Sequence, residues 1–453
     1  MMSHDNDSKH LLRQNHHSVV SPQLPQLFPG DDMSEANSAI RVAIIGGGLA
    51  GTALLRGLLR YPHIAVDMYE ARLSFKDERP GIELNVLAQG VLRAIDPSID
   101  TCLIRAGAVC TSSEFRISAG PFAGQRINVN DPSSDGKLTV GRQALLTELL
   151  GGVPPRMVHF NTRVTSIMEA SPGNGLVLTF SDGSQKRYDV VIGADGVHGK
   201  TRAHVIGPND PAQNPRPSGL WSLPIKVPFE RAVEAMGPET LDPRHPQQVT
   251  WIGDGTTMQQ DLLDMGRGVQ ITTSATFDGT NEDFSWAKLF TPDEFTQIFS
   301  RNMLQPCQGI IKIAGICQMQ FVPTRTYSSR NAALVCDAAH GMFSFHGASL
   351  SLALEEVLIL LNLLGRSTSR SAVPSALRAY DEMCRPRAEL FIRANADIGL
   401  LMAGRAPGIG LDPVLLAKTL KQKWNVVNSL DINAYCMAAI AAMDGSQPIH
   451  MQW

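Results

Sequence analysis

Three glycines and one carboxylate carry the clearest chemistry in this chain. Gly46, Gly48 and Gly51 stand at the spacing G-x-G-x-x-G, directly after the apolar run Arg41-Val42-Ala43-Ile44-Ile45. Glu70 closes a second apolar run, Ile64-Ala65-Val66-Asp67-Met68-Tyr69, about twenty residues beyond the turn, where a ribose-binding carboxylate is expected. The pattern predicts a strand, a tight turn and a helix. One glycine makes the turn, one lets backbone approach a pyrophosphate, and one lets the helix pack on the strand. The helix then offers unpaired N–H groups and the positive end of its dipole to phosphate oxygens. These residues predict a dinucleotide site; the competing reading is an ordinary strand-to-helix turn with fortuitous glycines.

Further polar residues fall at the ends of apolar runs. Asp195 lies in Gly193-Ala194-Asp195-Gly196 after Asp189-Val190-Val191-Ile192, and Arg202 follows a short way on. Asp337 ends Ala333-Leu334-Val335-Cys336 and precedes Ala338-Ala339-His340. Arg142 opens the helix-like stretch Gln143-Ala144-Leu145-Leu146. Each also has a structural reading. Asp195 could close a loop, Asp337 could cap a helix, Arg142 could be an exposed helix start, and His340 could be a hydrogen-bonding spacer. Arg202 either bridges parts of the fold or approaches a nicotinamide.

The elements that position these residues follow from apolar periodicity. From about 40 to 200 short apolar strands alternate with helices, as in an α/β sheet. The Ser-Asp-Gly turn at 181–183 separates two strand-like runs and predicts a small β-meander. Prolines crowd 208–228, followed by β-like runs at 248–253 and 268–273, which predict a mainly antiparallel sheet. A strand returns at Ala333–Cys336, a long buried helix is expected at about 348–364, and mostly helical sequence continues to the end. The expected organisation is an N-terminal extension over 1–38, disordered by composition; a discontinuous α/β nucleotide domain over 39–205 and 321–395; an inserted substrate domain over 206–320; and a helical segment over 396–453.

Composition excludes other classes. With 453 residues, 43% hydrophobic and 18% charged, the chain has ordinary globular make-up, and a formal net charge of −3 argues against nucleic acid as a partner. Seven cysteines form neither a CxxC pair nor a zinc spacing, so reduced thiols in a cytoplasmic protein are expected, with no metal site. No apolar run of membrane-spanning length stands uninterrupted; Glu355 and Glu356 break the nearest, Leu350–Leu364. A small-molecule substrate is the expected partner.

Taken together, the glycine turn, Glu70, the Arg142 segment, Gly-Ala-Asp-Gly at 193–196 and Cys-Asp-Ala-Ala-His at 336–340 resemble the class A FAD-dependent aromatic monooxygenases, and within them the fungal salicylate-hydroxylase-like branch. The resemblance covers roughly residues 40–395. It implies a Rossmann-like α/β FAD-binding domain with an inserted, mainly antiparallel substrate sheet and a helical C-terminal part. It further implies that Gly46, Gly48 and Gly51 hold the FAD pyrophosphate, Glu70 the adenosine ribose and Asp337 the ribityl chain. Arg142 reaches the FAD, Asp195 contributes to FAD and NAD(P)H handling, and the backbone at Gly347 and Ala348 faces the flavin ring. NADPH or NADH is expected to bind transiently, since no second nucleotide fold is visible.

The chain departs from that pattern at several places. Cys336 stands where glycine is usual, Ser344 where proline is usual, and Ser349 and Ser351, flanking Leu350, where glycines usually let backbone approach the flavin. A differently shaped flavin loop is therefore expected. The arginine and tyrosine that serve phenolates in relatives are not apparent near Leu223-Pro224 or Met258–Leu262. Trp221, Lys226, Trp251, Gln260 and Phe345 are the substrate-contact candidates, and His346 the candidate general acid/base. The leading expectation is an NAD(P)H-dependent monooxygenase that transfers one oxygen atom from O₂ to an aromatic or alkene carbon of a polyketide- or terpenoid-type metabolite. The runner-up is a redox-neutral cyclase or isomerase on the same fold, motivated by the altered loop; a non-catalytic binding protein is the third class.

Overall fold

The computed structural model describes residues 39–75, 81–129, 136–170, 175–238, 241–242, 244–276, 287–298, 313–342, 345 and 347–446. The extension over 1–38 and the general-acid candidate His346, with Ser344, lie outside the described residues.

Eighteen strands are labelled in chain order. The nucleotide unit is built on β1 (Ile40–Ile45), β2 (Ile64–Tyr69), β7 (Val158–His159), β11 (Val190–Gly193) and β18 (Ala332–Leu334), which form one sheet in the order β18-β11-β1-β2-β7. All four neighbouring pairs are parallel. β1 is buried at five of its six positions, as a central parallel strand covered on both faces requires. The expected meander is present as β8 (Val164–Glu169), β9 (Leu176–Phe180) and β10 (Gln185–Tyr188), paired antiparallel in sequence order.

A second, ten-stranded sheet carries the inserted segment. It contains β12 (Arg216–Pro228), β13 (Gln247–Ile252), β14 (Thr256–Leu263), β15 (Gly268–Thr276), β16 (Ala287–Phe290) and β17 (Ile313–Gln320). It also recruits β3 (Ile82–Leu84), β4 (Val109–Ile117), β5 (Arg126–Ile127) and β6 (Lys137–Val140) from the preceding part of the chain. The join is β13 on β4, the sole parallel pair in this sheet. The prolines at 208–228 end in a long strand, β12, bulged between Pro217 and Trp221.

Strand alternation divides the large sheet into two unlike faces. On one, Leu223, Ile271, Met258, Val269 and Leu262 pack with Phe229, Ala232, Val233 and Met236 of the helix Phe229–Met236 into an apolar cluster. The other carries Ser222, Gln248, Thr250, Gln259, Asp261, Gln270, Thr272 and Ser274 by the same register. That face turns toward the rest of the protein. Its Phe115, Ile117 and Ile252 share a cluster with Phe345 and with Ile398 and Met402 of the helix Val373–Met402.

The helix Ala348–Arg366 runs through the core of the nucleotide unit, with fifteen of its nineteen residues buried. It has the length and apolarity of a membrane span, yet it is enclosed by protein. Its two interior carboxylates are compensated. Glu355 pairs with Arg387, both side chains essentially inaccessible, at 3.1 Å. Arg387 in turn donates to the carbonyls of Val426 and Val427 near the C-terminal end of the helix Pro413–Asn428, where a cation also meets the negative dipole end.

Candidate active site

The glycine turn shows why each of its glycines is needed. Gly46 has φ +108, and a Cβ there would meet the Ala194 carbonyl oxygen at 2.2 Å. A Cβ on Gly51 would meet the Gly46 carbonyl oxygen at 2.0 Å. These two serve packing within the protein. Gly48 differs: its φ of −67 suits any residue, and its Cβ direction is open except for Arg142 Nη2 at 3.8 Å. The open space at Gly48 lies at the N-terminal end of the helix Leu49–Leu58, as an approaching phosphate requires.

Glu70 is fixed beside this opening. Its Oε2 accepts the Gly47 N–H at 2.9 Å and its Oε1 the Arg72 N–H at 2.9 Å. A carboxylate oxygen has a further lone pair to offer, so the oriented group can still take ribose hydroxyls. Arg142 begins the helix Arg142–Leu149 and brings a guanidinium over Gly48, a donor group suited to an anionic diphosphate.

Asp195 is anchored within its own loop through one carboxylate oxygen. Its Oδ2 accepts the N–H groups of Lys200 at 2.7 Å and Thr201 at 3.0 Å, and the Thr201 hydroxyl at 3.0 Å. Enclosure in this loop pushes its carboxyl pKa up, against the hydrogen bonds that lower it. Asp195 therefore shapes the loop whose Ala194 carbonyl abuts Gly46. Arg202 is likewise structural: its buried guanidinium donates to the carbonyls of Ala212, Ala338 and Ala339 and lies over the Phe321 ring at 3.8 Å. Burial lowers its pKa to about 10.

The Cys336–His340 corner is organised by a residue whose role the sequence did not reveal. Glu356 accepts the Cys336 N–H at 2.8 Å with Oε2 and contacts His340 Nε2 at 2.8 Å with Oε1, all in the interior. Burial alone would lower the His340 pKa; the Glu356 carboxylate outweighs it, and the pKa is raised. Cys336 adopts φ +60, ψ −141, a backbone region costly for any residue but glycine. This conformation aims Asp337 out of the end of β18, and the Ser349 hydroxyl approaches Asp337 Oδ1 at 3.4 Å. The signal in the sequence was the pair of glutamates in an otherwise apolar helix, since a buried carboxylate needs a partner.

The serines in the flavin loop require no unusual backbone. Ser349 and Ser351 lie in the first turn of Ala348–Arg366, where φ is negative and a Cβ is tolerated. Among the described residues of the loop, Gly347 has positive φ, at +68, and is still glycine; a Cβ on it would meet the Glu83 carbonyl oxygen at 2.5 Å. Ser351 Oγ instead reaches Asn85 Oδ1 at 3.5 Å, and Asn85 caps the helix Val86–Ile95 through the Ala88 N–H. The Ala348 N–H is bonded to the Phe345 carbonyl at 3.2 Å.

The substrate-contact candidates do not converge. Trp221, Trp251 and Gln260 lie on the outer face of the large sheet with Leu223 and Met258, and the Arg116 guanidinium sits 5.2 Å from the centre of the Trp251 ring. Lys226 is on the inner face but at its edge, 57% exposed and paired with Asp264 at 2.7 Å. Phe345, in the flavin loop, clusters with Phe115, Ile117 and Ile252 of the inner face. The residues missed are those of the inner face itself. Gln248 donates to Glu83 Oε2 at 2.7 Å and to Asp261 Oδ1 at 2.6 Å, Gln259 donates to Asp261 Oδ2 at 3.0 Å, and Lys137 pairs with Glu83 at 3.1 Å.

A family described as FAD binding domain matches residues 126–395, more than half of the chain. The chain belongs to this family. The flavoprotein is 28% identical over 387 residues to a 6-methylsalicylate 1-monooxygenase of Aspergillus terreus, covering 80% of this chain and 82% of that one. It is 26% identical over 422 residues to a salicylate hydroxylase of Pseudomonas putida, covering 89% and 95%. Among solved structures it resembles a salicylate hydroxylase substrate complex, with a TM-score of 0.75 at 24% identity over 89% of this chain and 98% of that chain, a likeness of fold. The flavoprotein is an enzyme of the FAD-dependent monooxygenase kind, with FAD as its cofactor. The open cradle at Gly48, the oriented Glu70 and the Arg142 guanidinium fit that cofactor.

Proposed function

We propose that this flavoprotein is an NAD(P)H-dependent monooxygenase that adds one oxygen atom of O₂ to an aromatic or alkene carbon of a small metabolite. NAD(P)H supplies two electrons, one oxygen atom enters the substrate, and the other leaves as water. FAD, when bound, supplies the redox and oxygen chemistry. In this reading the chain's own residues hold the cofactor and shield its reacting edge. Gly48 leaves room for the pyrophosphate in the turn that Gly46 and Gly51 close, Glu70 takes the adenosine ribose, and Arg142 neutralises phosphate charge. Asp337, held by the Cys336 corner, takes the ribityl hydroxyls. The N-terminus of Ala348–Arg366 directs its dipole at the flavin ring, where negative charge is stabilised. Phe345 and the apolar residues around it exclude water from the reacting edge.

The observation that carries this reading is the geometry of Gly347, Ser349 and Ser351 where the flavin loop enters its helix. Gly347 is glycine where the backbone demands it, and the serines occupy ordinary helical positions. Ser349 and Ser351 therefore lend no support to the redox-neutral alternative. The test is the visible spectrum of the purified protein, followed by anaerobic addition of NADH or NADPH. Oxidised flavin that is bleached by reductant supports the proposal. A colourless protein that still forms product, or product formed without reductant, overturns it.

A further inference from the structure

The inner face of the large sheet presents polar side chains in transverse rows, one residue per strand. The lower row runs Ser113, Gln248, Asp261, Gln270 and Lys226 across β4, β13, β14, β15 and β12. The next runs Phe115, Thr250, Gln259, Thr272 and Pro224. Glu83 and Lys137, from β3 and β6, close over the lower row, and Gly81 donates its N–H to Gln270. The flavin loop adjoins it through the close approach of Gly347 to the Glu83 carbonyl. Gln248, Asp261 and Gln270 at the centre of the lower row are buried, and Phe115 of the row above clusters with Phe345 of the loop.

Gln259 links the two. Its Nε2 donates to the Asp261 carboxylate at 3.0 Å, an arrangement that fixes which way the amide points. An amide facing a carboxylate must give it the NH₂ edge, so its carbonyl oxygen is directed away from Asp261. Gln259 and its neighbours Thr272 and Pro224 are half-buried, while Asp261, Gln248, Glu83 and Lys137 behind them are buried. Beside Gln259 on β13, the fully buried Thr250 hydroxyl has no hydrogen-bond partner among the described residues. The cations nearest this face are engaged: Lys137 by Glu83 and Lys226 by Asp264. Arg116 lies on the opposite face.

We propose that Gln259, oriented by Asp261, is the substrate-positioning acceptor of this enzyme, and that the site selects a neutral molecule bearing a hydroxyl group over its carboxylated counterpart. A hydroxyl donates to the Gln259 carbonyl and can satisfy Thr250. A carboxylate has no proton to give, finds no unengaged cation among the described residues of this face, and meets Asp261 and Glu83 behind it. The inference rests on the oxygenase reading only for which ligand atom faces the flavin; the binding preference stands apart from it.

The test measures binding of matched probes, phenol against salicylate and naphthol against hydroxynaphthoate, to the full FAD-loaded chain by quenching of intrinsic tryptophan fluorescence. Each neutral probe should bind about tenfold more tightly than its carboxylate, the scale of one or two hydrogen bonds. Gln259→Met should erase that difference, weakening the neutral probe about tenfold while its melting temperature stays near wild type. Thr250→Val should weaken the neutral probe to a smaller degree. Gln259→Lys should reverse the preference by supplying a cation. Tighter binding of the carboxylates by the wild type overturns the proposal, as does failure of the neutral probes to bind or unchanged binding in Gln259→Met. If a variant does not fold, the wild-type ranking decides alone. Retained preference with no consumption of NAD(P)H would instead condemn the oxygenase reading.

Discussion

Substituting Gly46 and Gly48 separately by alanine should split two properties that a glycine turn usually mixes. At Gly46, alanine must accept φ +108 and place its Cβ 2.2 Å from the Ala194 carbonyl oxygen. The backbone conformation alone costs about 1–3 kcal/mol, and the overlap must be relieved by moving β1 against β11, which raises the total to about 3 kcal/mol or more. In a chain of this size that lowers the melting temperature by about 3–6 °C. At Gly48, φ −67 and ψ −179 are open to alanine, and the nearest non-neighbour atom is Arg142 Nη2 at 3.8 Å. Alanine is a poorer N-cap than glycine, and the stiffer unfolded chain offsets about 0.4–1 kcal/mol of that loss. Stability should therefore change by less than about 1 kcal/mol. The new methyl group occupies the space through which the pyrophosphate approaches, and FAD affinity should fall at least about tenfold, or 1.4 kcal/mol. Thermal melts of the apoprotein and flavin-fluorescence titrations measure the two effects independently. A Gly48→Ala protein that binds FAD with wild-type affinity would refute the placement of the cofactor, and a Gly46→Ala apoprotein that melts like the wild type would refute the packing argument.

Four other perturbations follow from the interior. Glu356→Ala strands the His340 ring and the Cys336 N–H; removal of one partner of a buried pair should cost about 3–5 kcal/mol, read by urea denaturation, with FAD retention falling alongside. Because the His340 pKa is raised above 6.5, the stability it contributes is present below that pH and is lost as pH rises through the higher folded value; His340→Asn should abolish that alkaline decline. Asp261, facing Glu83, Lys137, Gln248 and Gln259, is pushed by burial to about 6 from 3.8, so stability is lost as pH rises across that window, by about 3 kcal/mol. Asp261→Asn should flatten denaturation midpoints between those pH values, and an unchanged slope would contradict the burial argument. Cys336→Gly relieves the φ +60 conformation and should raise the melting temperature slightly, by about 1 kcal/mol of relieved strain.

What the sequence disclosed was local. The glycine turn, Glu70 at the next strand end, the meander around its Ser-Asp-Gly turn and the long helix from Ala348 all follow from short-range periodicity, and each stands where its residues imply. What it concealed depends on distant pairing. β4 joins the inserted sheet by lying parallel to β13, with Gln248 beside Ser113, and nothing local announces so remote a partner. The same limit hid which side of the sheet turns toward the rest of the protein. Alternation shows that Trp251 and Thr250 point to opposite faces, yet only the packing of Phe229–Met236 against Leu223 and Met258 reveals which face is closed. Large aromatic side chains drew attention to the outer face, while Gln259 and Thr250 looked like ordinary strand residues. Ser349 and Ser351 misled for a related reason: whether a non-glycine residue is strained depends on φ, and both lie in the first turn of the helix.

Turnover under isotopically labelled dioxygen tests the proposed reaction most directly. The FAD-loaded protein is supplied with NAD(P)H and a neutral hydroxylated substrate, and the product is weighed by mass spectrometry. One labelled oxygen atom per product molecule, with one NAD(P)H consumed for each, is the expected result. Product that carries no label, or that forms while NAD(P)H is untouched, would contradict the oxygenase assignment.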